Sequence, residues 1–410
     1  MKPIKIGVVR ETKIPPDHRV ALPPAKIIEL KQQLPHVEVV VQPSPMRCFS
    51  DAEYLELGIS MQEDLSDCDI LIGVKEVDIP TLIPDKTYLF FAHVAKEQPY
   101  NRILILALLE KGIRMVDYEY LTDSYGVRLI AFGRWAGIVG AYNGLRGLGI
   151  HSNEYSLKPA HTCHDRQEMD AQLSKVELRN TRILLSGGGR VAQGAMETLG
   201  HLGIREVNPE EYSNNEFAEP VFCRIDPWHY VARRDGQQPF DQEHFFDYPE
   251  FYLSTSLKYL RKTDLYIAAH YWNPDSPRMF ELDDLKSGVG AKKTMPIKVI
   301  ADISCDINGS VPSTLRATTI AEPYYWFDPE TGKELARGEA SRHILMMTVD
   351  NLPGELPRDA SQEFSNVLVS QIIPRLTGDD PENVIKRASI TEAGELTEDY
   401  NYLDNYVKGR

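Results

Sequence analysis

Residues 182–203 constrain this chain more than any other stretch. RILLS (182–186) reads as a buried strand that runs straight into Gly187-Gly188-Gly189. RVAQGAMETLGHLG follows, with Val191, Ala195, Met196 and Leu199 on one helical face and Gly203 closing it. Gly187, Gly189 and Ala192 fit the spacing G-x-G-x-x-A, in the strand–turn–helix context that gives the motif meaning. Glycines let the backbone approach a pyrophosphate, and the N–H groups and dipole of the following helix stabilise its charge. Glycine triplets also occur in ordinary tight turns. The strand before and the helix after are what make this one a candidate nucleotide site.

An acidic residue about 20 positions further on would grip the adenosine ribose of NAD. Glu206, Glu210 and Glu211 are available, but VNPEEYS is a poor strand. A strand reaching Tyr212 would put Ser213 at the selectivity position and admit a 2′-phosphate. The sequence leaves NAD and NADP open. Asp302, at the end of the apolar run IKVIADI (297–303), is a further candidate cofactor contact.

The rest of the chain alternates strands and helices. IKIGVV (4–9), 37–41, DILIGV (69–74), TYLFF (87–91) and 114–116 read as strands, and AKIIELKQQL (25–34), with Pro23-Pro24 at its start, and 100–111 as helices. DLYIA (264–268), IKVIADI and LMMTV (345–349) supply later strands, and 361–375 a last helix. This alternation implies parallel sheets covered on both faces. With 410 residues, two domains are expected. We place a substrate-binding α/β domain at 1–135 plus 350–410 and a dinucleotide-binding domain at 136–349. Residues 208–250 are polar and studded with aromatics, too long for a βα connection of about 2–6 residues. They read as an insertion, either a hairpin or lid near the cofactor or oligomer contact, or a surface decoration.

Composition narrows the function classes. A net charge of −15 speaks against nucleic acid, whose phosphates demand basic patches. No apolar run approaches the length of a membrane span, and charge returns at Arg10 and Glu11, too early for a signal peptide. Cys48, Cys68, Cys163, Cys223 and Cys305 are odd in number and never form a CxxC pair, as in reduced cytoplasmic proteins. His161-Thr162-Cys163-His164 matches no standard zinc spacing. We expect a cytoplasmic enzyme without a metal, and a homo-oligomer is compatible with the chain.

An acidic protein that binds an anionic metabolite must concentrate its cations locally. Arg10, Lys13 and Arg19 follow the first strand, Lys75 ends the DILIGV segment, and His93 and Lys96 follow TYLFFA. Ligands of open parallel sheets bind beyond the carboxyl ends of the strands. A solvated surface charge is the plainer reading of Arg19 or Lys96 alone. Lys75 and His93 end apolar strands, where burial is costly without a partner. Arg128 and Arg134 are further carboxylate clamps, with salt bridging at a domain hinge as their bland reading, and Glu119 could tune a neighbouring lysine.

RETK…HRVAL (10–22), GVKE (73–76), FFAHVAKEQ (90–98), AFGRWAG (131–137) and DNLPGELPRDASQEF (350–364) together resemble the lysine-forming saccharopine dehydrogenases, or lysine–2-oxoglutarate reductases. The first two blocks are shared with alanine dehydrogenase and transhydrogenase relatives. The resemblance implies two Rossmann-like, doubly wound domains with an active site in the cleft between them. It also implies NAD- or NADP-dependent interconversion of saccharopine with L-lysine and 2-oxoglutarate. Lys75 and His93 would be the acid–base pair. Arg19 and Arg128 would bind substrate carboxylates, and Lys13, Lys96 and Glu119 would set the local charge. Phe132 would line the substrate pocket, and Asp350 would sit near both the nicotinamide and the lysine pocket. Arg190 and Val191, after the glycine turn, would contact the cofactor. The alternatives are an alanine-dehydrogenase-like enzyme using the same lysine and histidine, and a nucleotide-binding regulatory protein without catalysis.

Overall fold

The apolar runs become the inner strands of two parallel-dominated sheets. The computed structural model describes residues 3–236, 238–286, 295–340 and 342–410. The chain forms two units, Met1–Phe132 with Pro357–Arg410, and Gly133–Leu356.

In the first unit six strands run parallel: β1 (Ile4–Val8), β2 (Val37–Val41), β3 (Ser60–Met61), β4 (Ile70–Lys75), β5 (Thr87–Phe91) and β6 (Arg114–Asp117). Their order across the sheet is β3–β2–β1–β4–β5–β6, and an antiparallel hairpin of Ser389–Glu392 and Glu395–Leu396 extends it past β6. The chain winds outward from β1 in one direction and from β4 in the other. The crevice that such a reversal opens lies at the carboxyl ends of β1 and β4. Helix Pro24–Gln33 starts on a proline, whose missing N–H is no loss in a first turn, and buries Ile27 and Leu30. The helix that starts at Pro357 widens to a π-helical turn over Leu368–Ile372, just before Pro374, which has no N–H to continue the ladder.

In the second unit the parallel strands are β7 (Arg182–Ser186), β8 (Arg205–Glu206), β9 (Val221–Ile225), β12 (Leu265–Ala268), β13 (Val299–Asp302) and β16 (Ile344–Met347). They run in the order β8–β9–β7–β12–β13–β16. β14 (Tyr324–Asp328) and β15 (Lys333–Leu335) add an antiparallel edge, and β10 (Val231–Arg233) and β11 (Tyr252–Ser254) form a separate antiparallel pair. The expected α/β class with two parallel-dominated sheets holds in each unit. β16 stays in the second sheet and does not return the chain to the first unit, so Asp350 belongs to the second unit.

Two elements differ from the sequence reading. Residues 208–250 are not a pure insertion, because β9 lies within them and pairs directly with β7. Residues 133–152, to which the sequence reading assigned no element, form a 20-residue helix containing Gly133, Gly137, Gly140, Gly144, Gly147 and Gly149. Glycine weakens a helix in isolation. Here it permits contact that no side chain could: a Cβ at Gly137 would stand 1.8 Å from the Val191 carbonyl oxygen, and one at Gly194 would stand 2.0 Å from that of Arg134. The helix thus lies backbone to backbone against helix Arg190–Gly200.

Candidate active site

The carboxyl ends of β1, β4, β5 and β6 carry the charged groups of the first unit. The Glu11 carboxylate accepts the backbone N–H groups of Val74 at 2.6 Å and Lys75 at 2.9 Å, clamping the end of β4. Gly73 makes room for it, since a Cβ there would stand 3.3 Å from the Glu11 carboxylate. Burial pushes the Glu11 carboxyl up to about 7, against those two donors. Lys75 is half-buried at the last position of β4. Burial lowers its ammonium from the usual range and the Arg19 charge acts in the same direction, with Asp17 and Glu76 opposing. These are the conditions under which a lysine can act as a base.

Arg19 is 3% exposed, and its guanidinium forks onto Asp17 with Nε–Oδ1 at 2.9 Å and Nη2–Oδ2 at 2.6 Å. Burial alone would raise the Asp17 carboxyl, but the Arg19 charge and hydrogen bonds outweigh it and hold it well below the usual range. The guanidinium also stands 4.2 Å from the centre of the Phe132 ring. Phe132 stacks on Phe364 at 4.6 Å and tilts against Phe91 at 6.1 Å. Lys13 pairs with Glu76.

His93 follows β5 in the left-handed region, with φ 55°. Its ring stacks on Phe91 at 6.2 Å, and Phe91 is the register partner of Lys75. The His93 Nδ1 lies 3.3 Å from Glu119 Oε2. Lys96 Nζ at 3.0 Å and Arg128 Nη2 at 2.8 Å share the same carboxylate. Burial would raise Glu119, but the His93 hydrogen bond and the Lys96 and Arg128 charges bring it down to about 2. Glu119 is therefore a fixed anion among three nitrogen bases. Behind it, the fully buried Asp117 accepts backbone N–H groups from Ala92 and His93, each at 3.2 Å, and from Glu119 at 2.9 Å. It holds both ends of the His93–Glu119 contact, and burial raises its carboxyl.

The structure therefore gathers His93, Lys96, Glu119 and Arg128 in one cluster and Lys75, Arg19 and Phe132 in a neighbouring one. It engages Arg19 and Arg128 with internal carboxylates. Arg134 leaves the set, because its guanidinium is bidentate to Glu197 at 2.6 Å for each bond, within the second unit. Asp350 is exposed in that unit. Glu11, Asp17 and Asp117 were missed by sequence reasoning, although Asp117 ends an apolar strand just as Lys75 does.

In the second unit the turn after β7 has Gly187 at φ 112°, where a Cβ would stand 2.5 Å from the Ala269 carbonyl oxygen. A Cβ at Gly188 would stand 2.4 Å from the Asp226 carboxylate and 3.1 Å from the Arg224 guanidinium. Gly189 caps helix Arg190–Gly200 in open space. The turn borders a cavity of about 760 Å³ at the ends of β7, β9 and β12, lined also by Arg190 and Val191. Ala192 is buried beneath it. Asp226 directly follows β9, pairs with Arg224 at 3.2 Å, and occupies the position expected of a ribose acceptor. Ser213 does not: it lies on the short helix Pro209–Asn214 and donates its hydroxyl to the Glu210 carbonyl. The reason is topological, since the strand beside β7 is the third of the unit and not the second. Asp302 is fully buried, accepts hydrogen bonds from Thr314 at 2.6 Å and Ser304 at 2.7 Å, and is raised by burial to about 6. It positions Ser304, which lines the cavity. His270, wedged between Ser186 at 2.7 Å and Ser310 at 2.6 Å, is lowered by burial to about 4 and is neutral at physiological pH. Among the described residues no group of three or more His, Cys, Asp or Glu side chains could hold a metal ion. Nor is any helix there long and apolar enough to cross a membrane.

Comparison with known proteins bears out the resemblance read from the motifs. Residues 7–139 match the family model of the alanine dehydrogenase/PNT N-terminal domain. The chain is 29% identical to the mitochondrial alpha-aminoadipic semialdehyde synthase of Bos taurus, over 91% of this chain and 45% of that protein. It therefore spans about half the length of that relative. It is 25% identical to the NAD(+)-dependent, L-lysine-forming saccharopine dehydrogenase of Yarrowia lipolytica, over 90% of this chain and 92% of that one. Among solved structures it is similar in fold to an L-alanine dehydrogenase, with a TM-score of 0.64 at 16% identity and 99% of each chain covered.

Proposed function

We propose that this chain, with an alanine dehydrogenase/PNT N-terminal domain over residues 7–139, is an NAD(P)-dependent oxidoreductase that interconverts saccharopine with L-lysine and 2-oxoglutarate. The observation that carries the reading is the first unit's strand-end cluster. It holds a lysine lowered by burial, a histidine on a fixed carboxylate, and cations suited to a substrate with several carboxylates. The second unit supports it with a glycine turn, an open helix start and a ribose acceptor, Asp226, beside one cavity. Bound there, a nicotinamide dinucleotide supplies the hydride acceptor.

In the cleavage direction, neutral Lys75 takes the proton of the secondary amine as the C–H bond next to it gives up its hydride and an imine forms. His93 then removes a proton from water attacking the imine carbon while Lys75 returns its proton to the imine nitrogen, giving a carbinolamine. Collapse of the carbinolamine breaks the C–N bond as His93 gives its proton to the departing amine of lysine and Lys75 takes the hydroxyl proton, leaving 2-oxoglutarate as the carbonyl product. One water is consumed, and one hydride and one proton are released. Glu119, held to about 2, keeps its negative charge throughout and fixes the His93 ring through its hydrogen bond. Lys13, Lys96, Arg19 and Arg128 supply positive charge for substrate carboxylates, the two arginines by exchanging an internal carboxylate for that of the substrate.

The test is oxidation of NADH and NADPH followed by absorbance, with lysine plus 2-oxoglutarate in one arm and pyruvate plus ammonia in the other. Turnover in the first arm is expected. Turnover only in the second would replace this reading with that of an alanine-dehydrogenase-like enzyme, which the fold similarity favours as runner-up. Dinucleotide binding with no turnover across amino and oxo acids would leave a binding protein.

A further inference from the structure

The segment after β9 does more than extend the second unit. Tyr230, Phe245 and Tyr252 are buried and tie it to the core, with Phe245 edge-on to Tyr252 at 5.1 Å. The residues beside these anchors face the other way. Trp228 is 50% exposed and Phe246 is 48% exposed, and both line the cavity bordered by the glycine turn. Large aromatic rings left half open to water have apolar surface to gain from a partner. Their place limits what that partner is. Trp228 is two residues beyond Asp226, the carboxylate that lies against Gly188 at the end of β9. A planar ring that reaches Trp228 is therefore the one carried by the ribose that Asp226 would hold, and not the ring at the far end of a dinucleotide.

We propose that Trp228 and Phe246 form an adenine-binding wall, so that this part of the segment 208–250 is a base-recognition element of the nucleotide cavity. The inference rests on the dinucleotide reading above and assigns one end of the ligand to named side chains. Aromatic surface is tolerant of base identity, and each stacked ring contributes on the order of a tenfold gain in affinity. The anchored residues keep the wall in place before a ligand arrives, which lowers the ordering cost of binding.

The experiment is calorimetric titration of the full chain with 5′-AMP and, separately, with nicotinamide mononucleotide. Trp228→Leu and Phe246→Leu keep apolar bulk and remove the π-face. Each is expected to weaken 5′-AMP about tenfold and to leave nicotinamide mononucleotide unchanged. Trp228→Phe is expected to retain most of the 5′-AMP affinity, and it guards against a variant that simply fails to fold. Unchanged 5′-AMP affinity in both leucine variants would overturn the proposal. So would equal weakening of the two probes, or a loss in Trp228→Phe as large as in Trp228→Leu. Wild-type chain that binds neither 5′-AMP nor NADH would instead refute the dinucleotide reading on which the inference stands.

Discussion

Replacing Glu11 by glutamine tests whether burial governs the charge behind Lys75. The Glu11 carboxyl is displaced from an ordinary 4.5 to about 7, chiefly by burial. In the folded chain it therefore stays protonated over a range where the unfolded chain has already lost its proton. The stability this provides is full below pH 4.5 and is lost as pH rises through 7. At about 1.4 kcal/mol per pH unit the loss is on the order of 3 kcal/mol, complete by pH 8. Glu11→Gln mimics the neutral form and cannot ionise. Its stability relative to wild type should therefore rise between pH 5 and pH 8 by up to about 3 kcal/mol. All four tryptophans (Trp135, Trp228, Trp272 and Trp326) lie in the second unit, so their fluorescence does not report directly on the surroundings of Glu11. Hydrogen exchange of peptides covering β1 and β4, compared between the two proteins at each pH, reads the right unit. A difference that stays flat with pH would refute the reasoning. So would a wild type more stable than the variant at pH 8, which would mean the Val74 and Lys75 N–H groups outweigh desolvation.

Lys75→Met and His93→Gln should each cut turnover with lysine and 2-oxoglutarate by about 10²–10⁴-fold while circular dichroism stays unchanged; wild-type rates would remove either residue from the chemistry. Glu119, lowered to about 2, provides stability that is present above pH 4.5 and lost as pH falls toward 2. The advantage of wild type over Glu119→Gln in urea should accordingly shrink by up to about 3 kcal/mol across that acid window. Gly137→Ala would place a methyl group 1.8 Å from the Val191 carbonyl. It should lower the tryptophan-detected urea midpoint by an amount corresponding to about 3 kcal/mol or more, beyond ordinary overpacking because the obstacle is backbone.

The first unit was legible because its strands obey two rules visible in sequence. They are short apolar runs, and their charged residues come immediately after them. DILIGV followed by Lys75, and TYLFFA followed by His93, state both the strand and its business end. RMVD, ending in Asp117, carries the same signal in a weaker form, since an aspartate after a strand is also an ordinary turn residue. The partners of Arg19 and Arg128 were not legible. That Asp17 and Glu119 engage them depends on which way loops fold back, which no local pattern encodes. The helix 133–152 defeated the reading for a different reason. Its six glycines argue against helix by propensity. The compensating gain, contact with the Val191 and Ala195 backbone, exists only once helix Arg190–Gly200 is beside it.

The second unit shows how a spacing rule fails when topology is permuted. The rule that a ribose-binding acid lies about 20 residues beyond the glycine turn assumes that the next strand in the chain is the next strand in the sheet. Counting from Gly187 under that assumption leads to 206–213 and makes Ser213 the selectivity residue. In this chain the next strand, Arg205–Glu206, is only two residues long and occupies the sheet edge. Helix Pro209–Asn214 and a polar connection intervene before β9 takes the place beside β7. The acid is displaced with it, to Asp226. What the sequence did contain was VFCRI followed by aspartate, an apolar run ended by a charge, the same signal that located Lys75. Reading that pattern ahead of the distance would have found the residue. Because the carboxylate lies against Gly188, any side chain at that turn position would also displace it, so the glycine triplet and Asp226 are best regarded as a single element.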